Sequence, residues 1–142
     1  MRDVRQWMKS VEDRLSNLDR RLKSGGPRFP DTGWLDLPLI NGWTNYGGVY
    51  QIAQYGRFGG EVRFRGLIVG TSRTATAFFI APAGFRHSGG DQVWGAPSNS
   101  AGLMSRIDTK GTSSSGTVGT MSWVTGETTF ISLSGISYPA EA

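Results

Sequence analysis

The first 23 residues of the chain carry apolar side chains at alternating intervals of four and three positions. This spacing predicts an α-helix with one narrow apolar stripe, as in the seam of a coiled coil. About three heptads are present, and so narrow a stripe gives a single helix no core of its own to bury. We therefore expect the helix to pack against further copies of itself. The seam positions are Val4, Met8, Val11, Leu15, Leu18 and Leu22.

Residues that flank the seam indicate how many copies assemble. Arg14 falls at heptad position g and Asp19 at position e, which is the spacing of a salt bridge between parallel chains. Residues 14–19, Arg-Leu-Ser-Asn-Leu-Asp, resemble a short trimerisation motif whose last residue is usually Glu. A helix this short is marginal in water on its own. The segment 1–23 is therefore predicted to be the helix of a parallel homotrimer, supported by the domain that follows.

After the helix the pattern changes to short strands. Residues 24–33 are rich in Gly and Pro and are predicted to be a linker, and residues 34–142 are predicted to form a head domain. No helical pattern separates the predicted strands, which favours a mainly β fold, an antiparallel β-sandwich of jelly-roll type. Strands are expected at residues 34–40, 49–56, 61–70, 75–82, 91–96, 100–109, 116–124 and 128–138.

Several of these strands are apolar on both faces. Phe78 and Phe79 point in opposite directions if their strand is regular, and residues 61–70 and 128–138 have the same two-faced pattern. A sandwich strand needs only one apolar face, so an interface between subunits is one way to cover the second. The alternative is a bulge that changes the register within the strand, which Gly66 would permit.

Charge and composition exclude several classes of partner. The net charge is +4, and residues 1–23 hold seven Lys or Arg against four Asp or Glu, which leaves the head nearly neutral. It therefore lacks the basic face of a nucleic-acid binder. No apolar run is long enough to span a membrane. Because the chain has no cysteine, disulfides and thiolate metal sites are excluded. We expect neither nucleic acid nor a membrane among its partners.

The sequence contains no pattern typical of an enzyme. His87 is the single histidine, so one chain cannot form a histidine metal cluster. There is no nucleophile elbow, phosphate-binding loop or dinucleotide fingerprint. The carboxylates are scattered over turns and strand ends, without a pairing suited to glycoside hydrolysis. We therefore expect a non-enzymatic protein without a cofactor or bound metal.

Candidate ligand contacts come from two kinds of position. Trp43 and Trp94 border glycine-rich loops, where an exposed ring could stack on a sugar, although a place at the edge of the core is the alternative. Arg86, His87 and Asp91 lie in a polar loop that either binds a ligand or is simply solvated. The loops predicted to carry binding are residues 41–48, 84–91 and 95–99.

Four stretches of the head carry recognisable motifs. They are Trp34-Leu35-x-Leu37 with Asn41-Gly42-Trp43, Gly60-Glu61-Val62-Arg63-Phe64-Arg65-Gly66-Leu67-Ile68, Ile80-Ala81-Pro82-Ala83-Gly84-Phe85-Arg86, and the ending at 130–139. Together with the N-terminal heptads, these stretches resemble small trimeric proteins of bacteriophage virions that have an N-terminal coiled coil and a β-sandwich head. After Gly-Phe-Arg at 84–86 such proteins usually continue with a proline-containing ending, whereas this chain has His87-Ser88, so its loop differs there.

This resemblance implies a structural protein on the surface of the phage particle, assembled in the host cytoplasm. Its partners would be its own copies, other virion proteins of the tail or capsid, and a glycan on the host surface. The first hypothesis is a trimeric tail fibre or minor tail protein that attaches the phage to its host. A capsid decoration or head fibre protein is the alternative, and a lectin-like module encoded by a prophage or host is a weaker one.

Overall fold

The computed structural model of the protein describes residues 4–24, 31–70, 76–126 and 130–141, with helix side chains as far as Asn17. One helix, α1, spans Val4–Ser24, so it includes a serine that the sequence had placed in the linker. Within the described residues, no helix is long and apolar enough to cross a membrane. Over residues 4–23 the helix agrees with the predicted helix 1–23, while residues 1–3 and most of the predicted linker 24–33 lie outside the described residues.

The head is built from short strands, which confirms a mainly β fold. They form three antiparallel sheets, with orders β1-β3-β4-β11 in sheet A, β10-β5-β2 in sheet B and β6-β9-β8-β7 in sheet C. This arrangement is consistent with a β-sandwich. The strands are β1 Leu35–Asp36, β2 Thr44–Asn45, β3 Gln54–Phe58, β4 Glu61–Arg65, β5 Leu67–Val69, β6 Thr76–Ile80, β7 Gln92–Pro97, β8 Met104–Thr109, β9 Thr120–Gly126, β10 Ile131–Ser132 and β11 Ser137–Pro139.

Several predicted strands are shorter than expected. The strand expected at 49–56 begins only at Gln54, and the strand expected at 100–109 begins at Met104. The long strand expected at 128–138 is two short ones, β10 and β11, which belong to different sheets. In the described residues a turn interrupts each of these stretches, at residues 48–49, 100–101 and 134–135, and each turn contains a glycine or a serine.

Gly66 is the point at which the chain passes from one sheet to another. Its φ is 113°, and a Cβ there would lie 2.5 Å from the carbonyl oxygen of Ile52 and 2.6 Å from the Cα of Ala53. Only glycine accommodates both the backbone conformation and this close approach. The expected strand 61–70 is therefore split into β4 in sheet A and β5 in sheet B.

A bulge accounts for the two-faced strand β6. The pairing of β6 with β9 shifts register between Ala77 and Phe79, so Phe78 and Phe79 both enter the core and are both fully buried. Ile131, Leu133 and Ile136 at the C-terminal end are buried as well. The single chain thus covers these residues itself, so their burial does not require a subunit interface, whereas Ile80 on β6 stays 47% exposed. That an interface between subunits covers the remaining apolar positions of these strands stays a prediction.

Candidate functional site

The described part of the helix seam is uncovered in the single chain. Val4, Met8 and Leu15 are 66%, 53% and 61% exposed, and Val11 is half-buried. Trp7, beside the seam, is 60% exposed. Large apolar side chains in a row cost free energy when water surrounds them, so this face is suited to packing against another helix.

The seam is continuous in its backbone but only partly described in its side chains. Arg14, at the predicted salt-bridge position, is exposed. The side chain of its predicted partner Asp19 lies outside the described part, as do those of the seam residues Leu18 and Leu22. Coiled-coil pairing and the number of copies therefore stay predictions from the heptad spacing.

Loop 84–91 is tied to the C-terminal end of the chain by a dense set of hydrogen bonds. A carboxylate oxygen of Glu141 accepts from the backbone N–H of Gly84 at 2.7 Å, and the Glu141 N–H donates to the carbonyl of Arg86 at 2.8 Å. The buried guanidinium of Arg57 donates to the carbonyls of Gly84, Gly59 and Glu141. We call Arg57 and Glu141 the terminal clamp. It gives the loop a structural role.

His87 lies inside the clamped loop and is only 3% exposed. Its ring meets that of Tyr138 edge-to-face, with centroids 5.0 Å apart, and Nδ1 is buried without a hydrogen-bond partner in the described residues. Burial lowers the pKa of the His87 imidazole, while a hydrogen bond to the Gly90 backbone and the charge of Asp91 act in the opposite direction. The burial takes His87 out of reach of a surface ligand.

The charged residues of the loop are paired. Arg86 Nε lies 3.8 Å from a carboxylate oxygen of Glu141, at the base of the loop. Asp91 forms an exposed ion pair with Lys110 at 3.0 Å, and the hydrogen bond from Lys110 lowers the pKa of the Asp91 carboxyl. These contacts fix the loop and leave only its outer side to solvent.

The two candidate tryptophans lie at different depths. Trp43 is 4% exposed, because its ring packs against Phe78 and Trp123 and its indole N–H donates to Thr76 Oγ1 at 2.9 Å. It is a core residue, so the idea of an exposed stacking ring is wrong for Trp43. Trp94 is half-buried in β7 and donates from its indole N–H to Thr109 Oγ1 at 3.0 Å.

The predicted binding loops differ in outcome. Residues 95–97 belong to β7, and Ser98 is buried with its hydroxyl bonded to the Leu103 carbonyl, so 95–99 is mostly not a loop. Loop 41–48 contains the short strand β2 and then leads into an exposed turn. The structure does not bring the five candidate contacts to one exposed site, since Trp43 and His87 are buried.

A group of exposed aromatic and aliphatic side chains in the head follows β2, in residues 46–52. Tyr46, Val49, Tyr50 and Ile52 are 44%, 98%, 51% and 42% exposed. The rings of Tyr46 and Tyr50 meet edge-to-face at 5.2 Å, and Phe130 packs against Tyr46 at 6.0 Å. We call Tyr46, Val49, Tyr50 and Ile52 the tyrosine patch.

The tyrosine patch is held rigidly although it lies in a loop. The N–H of Tyr46 donates to the Leu67 carbonyl at 3.0 Å, and the N–H of Leu67 donates to the Gln51 carbonyl at 3.1 Å. Gly47 and Gly48 both have positive φ, which turns the chain tightly between the two tyrosines. Strand β5 thus anchors both ends of the loop.

Sequence reasoning missed most of the tyrosine patch because residues 49–56 were expected to form a strand with alternating faces. One signal was available: residues 37–56 contain no charged residue and combine tyrosines with Gly, Asn and Gln. This composition is typical of binding loops, since tyrosine offers a large rigid contact area at low entropic cost. The patch is suited to an amphipathic ligand such as a sugar, whose apolar ring faces stack on aromatics.

Comparisons with known proteins give one structural likeness. No protein-family model matches the chain, and no curated protein matches it. A solved structure with a similar fold is the crystal structure of the receptor binding protein (gp15) of Listeria phage PSA. The likeness has a TM-score of 0.57 at 16% sequence identity and covers 100% of this chain and 82% of that one. At this identity the likeness shows a shared fold.

Proposed function

We propose that this chain is a non-enzymatic virion protein that attaches a bacteriophage to its host. Three copies would assemble through α1, join the tail at the particle surface, and present their heads to a glycan of the host cell. The observation that carries the proposal is the likeness in fold to a phage receptor binding protein over the whole length of this chain.

The uncovered helix seam supports the trimeric part of the proposal. Val4, Met8 and Leu15 are all more than half exposed, and their heptad spacing would bury them against parallel copies. Assembly of three heads also has a functional use, since weak sites that bind together give strong attachment.

The tyrosine patch supports the attachment part. Its two tyrosine rings are exposed to solvent, and the surrounding segment 37–56 carries no charge. Such rings lose little conformational entropy on binding, which favours the binding of a sugar.

The test is the binding of purified, fluorescently labelled protein to host cells, with a double substitution in the patch. Tyr46→Ala with Tyr50→Ala is expected to lower cell binding by about tenfold or more, since aromatic anchors dominate such interfaces. A matched control is Val93→Ala with Met104→Ala, which removes side chains 62% and 52% exposed on β7 and β8. Thermal unfolding shows whether both variants are folded.

Two results would count against the proposal. Wild-type protein that does not bind host cells at any concentration would refute attachment as its function. Equal binding by the tyrosine variant and the control would remove the tyrosine patch from the proposed mechanism.

A further inference from the structure

Gln54 is the centre of a polar network next to the tyrosine patch. Its amide oxygen accepts from Arg65 Nε at 2.8 Å, from Arg65 Nη2 and from Gln51 Nε2 at 3.3 Å. Its amide nitrogen donates to a carboxylate oxygen of Asp36 at 3.0 Å. Because Gln51 belongs to the loop of the tyrosine patch, this network joins the patch directly to the outer face of sheet A.

The register of sheet A places these residues in one row. Asp36 pairs with Gln54, and Gln54 pairs with Arg65, so their side chains lie side by side on the same face of β1, β3 and β4. The opposite face of the same strands carries the core residues Tyr55 and Phe64. The row is therefore fixed by the strands themselves.

The guanidinium of Arg65 is held in place by an aromatic ring as well. Its carbon atom lies 4.2 Å from the centre of the Trp34 ring, and Trp34 in turn packs against Phe58 at 4.9 Å. Gly56 leaves room for this arrangement, since a Cβ there would lie 2.3 Å from the Gly33 carbonyl oxygen and 2.9 Å from the Phe58 ring. Because stacking uses only the face of the guanidinium, the N–H groups that do not bond to Gln54 stay available for recognition.

We propose that Arg65 binds an acidic group, a carboxylate or a phosphate, on the glycan that contacts the tyrosine patch. This inference rests on the proposed attachment function and specifies its ligand class. Arg65 is half-buried and already oriented by Gln54 and Trp34, so an acidic group meets a guanidinium that loses little freedom on binding. The guanidinium has more N–H groups than its two bonds to Gln54 use.

The charges around Arg65 agree with this assignment. Arg63 lies two positions away on the same face of β4, about 7 Å along the strand. It stacks over the Phe58 ring at 5.7 Å and forms an exposed ion pair with Glu61 at 3.6 Å. Asp36 bonds to Gln54 at the other end of the row, and its negative charge repels an acidic group. The ligand's acidic group is therefore placed at the Arg65 end.

The experiment measures binding of the full-length protein to an array of oligosaccharides in three matched sets: neutral, uronic acid-containing and phosphate-bearing. Wild-type protein is expected to prefer one or both acidic sets, and the sets distinguish carboxylate from phosphate. Arg65→Gln is expected to weaken that binding about tenfold or more, which corresponds to the loss of hydrogen bonds to a charged group. The affinity of Arg65→Lys should lie between those of the wild type and Arg65→Gln, because lysine keeps the charge but lacks the planar guanidinium.

The matched control is Arg106→Gln on sheet C. Arg106 is also half-exposed and hydrogen-bonded, in its case to Asp108 at 2.8 Å. We expect this variant to bind as wild type does, and we expect rising salt to weaken the wild type more than Arg65→Gln.

Preference for neutral oligosaccharides, or equal binding by the Arg65→Gln and Arg106→Gln variants, would overturn the role of Arg65 while leaving attachment intact. If host cells bind the protein but no oligosaccharide of any set does, the glycan class is wrong. Failure of the wild-type protein to bind host cells would instead refute the proposed function.

Discussion

The terminal clamp offers a test of how this head holds its C-terminal end. Arg57 is 4% exposed and donates to the carbonyls of Gly59, Gly84 and Glu141, which belong to three separate segments of the chain. Arg57→Met keeps the aliphatic stem but removes every one of these donors. The substitution therefore isolates the polar role of the side chain from its packing.

The expected cost follows from the number of acceptors left without a partner. A buried polar group that loses its hydrogen bond costs about 1–3 kcal/mol, and such costs are less than additive within one network. We expect Arg57→Met to lower the free energy of unfolding by about 3–4 kcal/mol in total, as for the breaking of other buried charged networks. For a domain of this size that lowers the melting temperature by roughly 10–15 °C.

Urea unfolding followed by tryptophan fluorescence measures the effect at a fixed protein concentration. Arg63→Met is the control, since Arg63 is exposed and its ion pair with Glu61 at 3.6 Å should contribute about 0.5 kcal/mol or less. A loss of under about 1 kcal/mol for Arg57→Met, or equal losses for both variants, would refute the clamp as a major source of stability. Arg57→Lys, which keeps the charge, serves if the methionine variant does not fold.

Three further predictions concern the seam, the buried histidine and the sheet crossing. Light scattering is expected to give about three times 15.4 kDa for the wild type, a monomer for Met8→Lys with Leu15→Lys, and a trimer for the control variant Arg5→Lys outside the seam. A monomeric wild type would contradict assembly through the helix seam. Because burial lowers the pKa of His87 in the folded state, its contribution to stability is complete above about pH 6.5 and is lost as the pH falls below that value. His87→Phe is expected to flatten this part of the curve of unfolding free energy against pH, and equal curves for the two proteins would exclude His87 as the cause of the acid sensitivity. Gly66→Ala is expected to lower the free energy of unfolding in urea by about 2 kcal/mol or more, because Gly66 has a φ of 113° and a Cβ there would lie 2.5 Å from the Ile52 carbonyl oxygen. The control Gly60→Ala adds a methyl group in open space and should cost little, so similar losses for both variants would mean that the chain tolerates a side chain where it passes from sheet A to sheet B.

The helix was predictable from the sequence because its signal is local. The intervals between Val4, Met8 and Leu15 determine one face directly, and the observed helix Val4–Ser24 follows them closely. The mainly β character of the head was also predictable, since turn residues recur at short spacing. What periodicity does not reveal is which strand pairs with which, and this is where the expectations failed.

Phe78 and Trp43 illustrate the failure. Two adjacent phenylalanines suggested a strand with two apolar faces, but a bulge brings both into the same core. Trp43 seemed to border a loop, yet Gly70 lies beneath its ring, where a Cβ would approach within 2.9 Å. Both outcomes depend on contacts between residues distant in sequence, which a local pattern does not contain.

The candidate site was only partly predictable for the same reason. Loop 41–48 was predicted to carry binding because of its glycines, and the structure shows that Tyr46 within it is 44% exposed. The row of Asp36, Gln54 and Arg65 arises from strand register, so nothing in the spacing of these residues announced it. His87 seemed a surface residue because its neighbours are polar, but those polar groups bind the C-terminal segment.

The most direct test of the proposed attachment function is the position of the protein on the phage particle. Immunogold electron microscopy of virions, with an antibody raised against residues 31–142, measures that position and the number of copies. We predict label at the tail end in a small number of copies per particle. Label spread in many copies over the capsid would contradict tail attachment and support a decoration protein, and virions without label would contradict a role in the particle.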